Sequence, residues 1–141
     1  MSDKREIITK AEKIVAKSED MVIAYVREDG YPRASTISMM KADGIKTIYT
    51  STAMQALKTK RIQANPKVSL CFRDGWNNIT LTGTVAVSQD NALRRALWQD
   101  WCIEHFPDGA EGERFCVFVF ETEEATFWID NEQESAVRDE L

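Results

Sequence analysis

The sequence predicts a mainly β protein: an antiparallel sheet closed, or nearly closed, into a barrel, with flanking α-helices. Two observations carry this. Runs of β-branched and aromatic residues recur at short spacing, divided by Asp-Gly turns that make hairpins, and hairpins imply antiparallel pairing. About seven such strands in a chain of 141 residues favour closure, because closure removes exposed edges.

The elements follow in order. Ile7, Ile8, Ala11, Ile14 and Val15 fall on one stripe, so residues 3–17 read as a helix that Ser2 or Asp3 can cap. Residues 21–27 read as a strand, Glu28-Asp29-Gly30 as a hairpin turn and 33–40 as the next strand. Asp43-Gly44 turns into a third strand over 45–51. Thr52 with Gln55 has the form of a capping box, which predicts a helix from 53 to about 64. Asn65-Pro66 ends it. Residues 67–73 and 78–87 are strands joined at Asp74-Gly75, and Gly83 predicts a bulge or a close backbone approach. A second long helix is expected over 90–105, with Leu93, Ala96, Leu97 and Trp101 on one face. Residues 114–120 and 125–130 read as two strands joined by a short acidic turn. Residues 1–130 then form one domain, and 131–141 a polar, frayed tail.

Composition narrows the function. The chain is 43% hydrophobic and 29% charged, an ordinary globular balance. A net charge of -5 disfavours nucleic acid as a partner. No apolar run approaches the roughly 20 residues of a membrane span. The charged N-terminus does not read as a secretory signal, so the expected location is the cytoplasm. Three cysteines, Cys71, Cys102 and Cys116, do not suggest a disulfide framework. Cys71 and Cys116 are expected in the core and Cys102 half-buried. No metal-ligand spacing is present.

Catalysis by protein groups alone is poorly supplied. The only imidazole, His105, ends a predicted helix, where it can simply favour the helix C-terminus. No glycine-rich phosphate loop is present. An enzyme with this sequence needs a cofactor for its reactivity. The distribution of charge points to an anion. From Gly44 to Arg73 there is no Asp or Glu, while Lys46, Lys58, Lys60, Arg61, Lys67 and Arg73 all occur. A helix N-terminus capped by Thr52, with Lys58 reaching back and Arg33 opening a nearby strand, would suit a phosphate. The plainer alternative makes Thr52 a simple cap, and Arg33 and Lys58 surface charges. Among the tryptophans, Trp98 and Trp101 suit core or interface, Trp76 an exposed turn, and Trp128 either core or a ligand.

Three segments also carry a resemblance. Asp29-Gly-Tyr-Pro-Arg33-Ala-Ser-Thr-Ile is similar to a DGxPxxR segment. Ser51-Thr52, then Lys58, then Asn65-Pro66 is similar to a T…K…NP pattern. Asn78 to Val85 is similar to a strand ending in G-x-V. Over roughly residues 5–130 the chain resembles the FMN-binding split-barrel superfamily of pyridoxamine 5'-phosphate oxidase-like proteins, in its general stress protein 26-like branch. The resemblance implies a homodimer with FMN at the interface. Arg33 and Lys58 would hold the phosphate, and Ser51 and Thr52 would bond phosphate or ribityl oxygens. Ser35 and Thr36 would line the ring edge, Asn78 would contact the cofactor, and Trp128 would pack near the flavin from the partner subunit.

The departures from the pattern are Ala56, where the family often has Ser, and Leu57, where it often has Arg or Lys. After Trp128 comes Ile-Asp-Asn-Glu-Gln-Glu rather than a basic substrate-binding segment. The resemblance therefore implies an FMN-dependent oxidoreductase without true pyridoxamine phosphate oxidase activity. A non-catalytic flavin sensor of the stress response, a barrel for deazaflavin or haem, and a purely structural dimer remain the alternatives.

Overall fold

The computed structural model describes residues 2–141. Eight strands form a single antiparallel sheet curled into a split barrel, with helices packed against it. Strands β1 (Asp20–Val26), β2 (Pro32–Ser38), β3 (Lys41–Asp43), β4 (Thr47–Ala53), β5 (Lys67–Asp74), β6 (Asn77–Ser88) and β7 (Phe115–Ile129) lie in the order β2-β1-β5-β6-β7-β4-β3. Strand β8 (Glu132–Val137) pairs with the second half of β7. The chain passes from one edge of the sheet to the other between β2 and β3. There the Met39 N–H donates to Glu19 O and the Met40 N–H to Tyr49 O. This crossing brings β2 against β4.

Helix α1 (Lys4–Ala16) follows from its sequence. Asp3 accepts from the Glu6 N–H at 2.8 Å, and all five stripe residues from Ile7 to Val15 are buried. Each fully buried aliphatic side chain contributes about 1.5–3 kcal/mol, which makes the stripe the helix's hold on the barrel. On the sheet, Met21, Ile23 and Tyr25 point inward in alternation, as do Val68, Leu70 and Phe72.

The first half of β7 is buried on both faces. Phe118 and Phe120 belong to the main core, while Phe115 and Val117 belong to a second cluster with Leu97, Cys102 and Phe106. A strand covered on both sides reads as a continuous apolar run, which is what residues 115–120 show.

Five expectations are corrected. Helix α2 spans Leu57–Ala64, not 53–64. Its N-cap is Ala56, which makes no side-chain cap bond, and Thr52 stays in β4 opposite Cys116. Extending the β4–β7 ladder to Ala53 outweighs a local capping preference. The predicted helix over 90–105 is α3 (Asn91–Leu97) followed by a separate 3-10 helix, Asp100–Glu104. Trp98 leaves the helix in an extended conformation and sets its ring edge-on to Phe115, with centroids 5.0 Å apart.

The acidic segment after Phe120 is no turn: β7 runs through it. Glu123 is the extra residue of a bulge opposite Thr82 and Gly83. A Cβ at Gly83 would overlap the Glu121 carbonyl oxygen, so the expected close approach is present. Residues 131–141 are not frayed. Asp130 and Asn131, at φ 52° and 64°, make a tight turn into β8. Last, Cys102 is fully buried and Cys71 only half-buried, the reverse of their expected ranking, while Cys116 is buried as expected.

Candidate functional site

Alternation along β1 and β2 places the first half of the site. Arg33 pairs with Tyr25 and Ser35 with Ile23, so both side chains of β2 lie on the inward side. Strand β2 is an edge strand, and α2 packs against its neighbour β1. There a recess of about 520 Å³ opens. Tyr25 of β1, Arg27 just after it, and Arg33 and Ser35 of β2 line it on one side, and Leu57, Lys58 and Arg61 of α2 on the other.

The electrostatics of this recess are unbalanced. Arg61 makes a forked bond to Glu28, with Nε and Nη2 each 3.1 Å from a carboxylate oxygen. Arg27 donates to Asp29 Oδ2 at 2.7 Å. Arg33 and Lys58, by contrast, have no carboxylate partner among the described residues. Burial, and then the nearby Arg33 guanidinium, push the Lys58 amine below its ordinary value. Two buried polar atoms of the same lining, Arg27 Nε and Ser35 Oγ, have no hydrogen-bond partner. Such groups are costly unless something satisfies them. The first turn of α2 adds amide N–H groups that have no partner within the helix. The donor set fits an anion.

Of the eight residues proposed from sequence, three meet here: Arg33, Ser35 and Lys58. In the DGxPxxR pattern the arginine falls at the place of Ser35, and this chain carries Arg33 two residues earlier on the same strand face. Thr36 points to the opposite, outer face opposite Val22. Ser51 and Thr52 lie in β4, paired with Val117 and Cys116, and do not line the recess. Asn78 and Trp128 are direct cross-strand partners, at the far end of the β5–β6 ladder from Val68 and Gly83.

Sequence reasoning missed Arg27, Arg61 and Tyr25 as lining residues. Arg61 carried a usable signal, since it stands three residues after Lys58 and so on the same helix face. Arg27 carried none, because its role depends on how β1 meets α2.

Fold and recess together define a split-barrel protein with a cation-lined cleft between an edge strand and a helix N-terminus. The family model of pyridoxamine 5'-phosphate oxidase matches residues 7–129, and the chain belongs to that family. Among curated proteins no sequence matches it.

Solved structures share the fold. A protein related to general stress protein 26 of B. subtilis, from Clostridium acetobutylicum, superposes with a TM-score of 0.87 at 24% identity, covering 98% of this chain and 99% of that one. A heme binding protein from Mycobacterium smegmatis gives 0.74 at 16% identity, over 94% of this chain and 58% of that one. A pyridoxamine 5'-phosphate oxidase-related, FMN binding protein from Nostoc punctiforme gives 0.64 at 14%, over 97% of both chains.

Proposed function

We propose that this protein binds FMN by its phosphate in the Arg33–Lys58 recess and acts as a flavin-dependent oxidoreductase of the cytoplasm. The observation that carries the reading is the pair of cations facing one recess with no carboxylate between them, Lys58 half-buried and Arg33 exposed. A phosphate monoester supplies the missing charge, and its oxygens can accept from Ser35 Oγ and Arg27 Nε, the two partnerless atoms. Bound flavin would supply hydride and single-electron transfer. The protein's own part is to hold the phosphate, orient the ring and keep water from it.

Haem is the weaker ligand for this chain. Its only histidine, His105, stands beside Trp101, ring centroids 6.0 Å apart, and is not among the recess residues.

The outer face of the sheet supports a homodimer. Across four strands, Thr36, Val22, Cys71 and Thr80 form one row, and Ala34, Ala24, Ser69 and Thr82 the next. No charged side chain interrupts either row, and Val22 is 39% exposed. Two uncharged rows of small side chains, flanked on β5 by Lys67 and Arg73, suit a second copy of themselves. Asn78 and Trp128 extend the same face in a row that also holds Arg73, with Trp128 39% exposed. Association through it is the way in which Trp128 of the partner subunit would reach a flavin held by the first.

The segment after Trp128 is tied into the β7–β8 hairpin and carries carboxylates, not a basic substrate clamp. True pyridoxamine phosphate oxidase activity is therefore not expected. No helix among the described residues is long and apolar enough to cross a membrane. The test is NAD(P)H oxidation by the purified protein with and without FMN. Reduction of bound flavin supports the oxidoreductase reading. Tight binding with a flavin that never reduces would leave a flavin sensor in its place.

A further inference from the structure

The recess holds more positive charge than its two carboxylate-free cations. Arg27, one residue past β1, and Arg61 of α2 complete the same lining. Both are engaged by the β1–β2 turn, yet neither is used up by it. Arg61 gives Nε and Nη2 to Glu28 and has the Tyr25 hydroxyl as a further neighbour, and since a guanidinium carries five N–H groups in a fixed fork, Glu28 does not use them all. Its side chain is 13% exposed while that of Glu28 is 70% exposed, so the carboxylate sits on the solvent side of the pair. Arg27 gives one terminal nitrogen to Asp29 and lies 5.9 Å from the Tyr31 ring centroid. Its Nε is buried and unpaired.

Leu57, at the start of α2, lines the recess without charge, while Arg27 and Arg61 stand on the same wall.

We propose that Arg27 and Arg61 are further phosphate-binding residues of this site, held in place by Asp29 and Glu28 of the β1–β2 turn. The inference rests on the FMN reading and names two more residues of that site. Four cations against the two turn carboxylates leave a net charge of about +2 at the recess, matched to the roughly -2 of a phosphate monoester near neutral pH. Both arginines would strengthen the hold on the phosphate specifically, and leave the rest of a flavin unaffected.

The experiment is a fluorescence titration of native protein, Arg27→Gln, Arg61→Gln and Lys58→Met with FMN and with riboflavin, which lacks the phosphate. Each arginine variant is expected to bind FMN about tenfold more weakly, the loss of one charged hydrogen bond, with riboflavin affinity unchanged. Arg61→Lys, which keeps the charge and loses the fork, should recover part of the loss. Circular dichroism of each variant separates lost binding from lost fold. An arginine variant that binds FMN like the native protein removes that residue from the site. If both do so while Lys58→Met loses FMN, the proposal is overturned and the phosphate site stands. If native protein binds no FMN, the FMN reading fails and this inference fails with it.

Discussion

Arg33 of an edge strand and Lys58 of the first turn of α2 stand on one recess with no carboxylate between them, and the guanidinium helps to push the lysine's pKa down. Burial is the larger cause of that shift. Burial and the neighbouring guanidinium both disfavour the charged form of Lys58, so its charge costs stability.

Lys58→Met should reveal that cost. With its folded-state pKa lowered, Lys58 binds fewer protons in the native protein than in the unfolded chain, in the window between the lowered and the ordinary value. Native stability should rise with pH through that window, and the cationic lysine should cost stability below it. The variant is expected to melt higher than native protein near neutral pH and to lose the Lys58 contribution to the alkaline rise. Its FMN binding should fall by about 1.5–3 kcal/mol, tenfold or more. Thermal melts across pH, without ligand, check the first part.

Gly83→Ala tests the bulge. The added Cβ would meet the Glu121 carbonyl, which is backbone held in the β6–β7 ladder. The substitution should cost about 1–3 kcal/mol or more, as overpacking does. A urea titration should show a lower midpoint with an unchanged slope.

Val22→Asp tests the dimer face. Val22 sits in an uncharged row of the outer surface, between Thr36 and Cys71. A buried, unpaired carboxylate on each protomer should break a dimer formed there. Sedimentation is expected to give a dimer for the native protein and a monomer for the variant, with unchanged circular dichroism.

The cysteines report on the same face. Burial pushes the Cys116 thiol up to about 11, and Cys102 is fully buried. Neither should react with a thiol reagent in folded protein at neutral pH. Half-buried Cys71 lies in the Val22 row and should be the reactive thiol of the monomer. Its labelling rate should fall as protein concentration rises and the dimer forms.

How much of this was legible beforehand depended on how local each cause was. The α1 stripe, the Asp-Gly turns and the Gly83 approach act within a few residues or one ladder, and all are present. Thr52 misled because a cross-strand ladder to Cys116 outweighs a capping box. Glu121 to Glu124 misled because polar residues mark a bulge as well as a turn. Here Thr122 is buried and donates its hydroxyl to Ile45 O at 2.6 Å, a partner 77 residues away. At the site, Arg33 and Lys58 could be read from their types and the Asn65-Pro66 landmark. Arg27 joins them only through the packing of β1 against α2.

The central claim is that Arg33 and Lys58 hold a phosphate. The most direct measurement is a titration of stripped, purified protein with FMN, followed by flavin fluorescence, with Lys58→Met alongside. The account predicts micromolar or tighter binding by native protein, at least tenfold weaker in the variant. Equal binding by the two, or none by native protein, would contradict it.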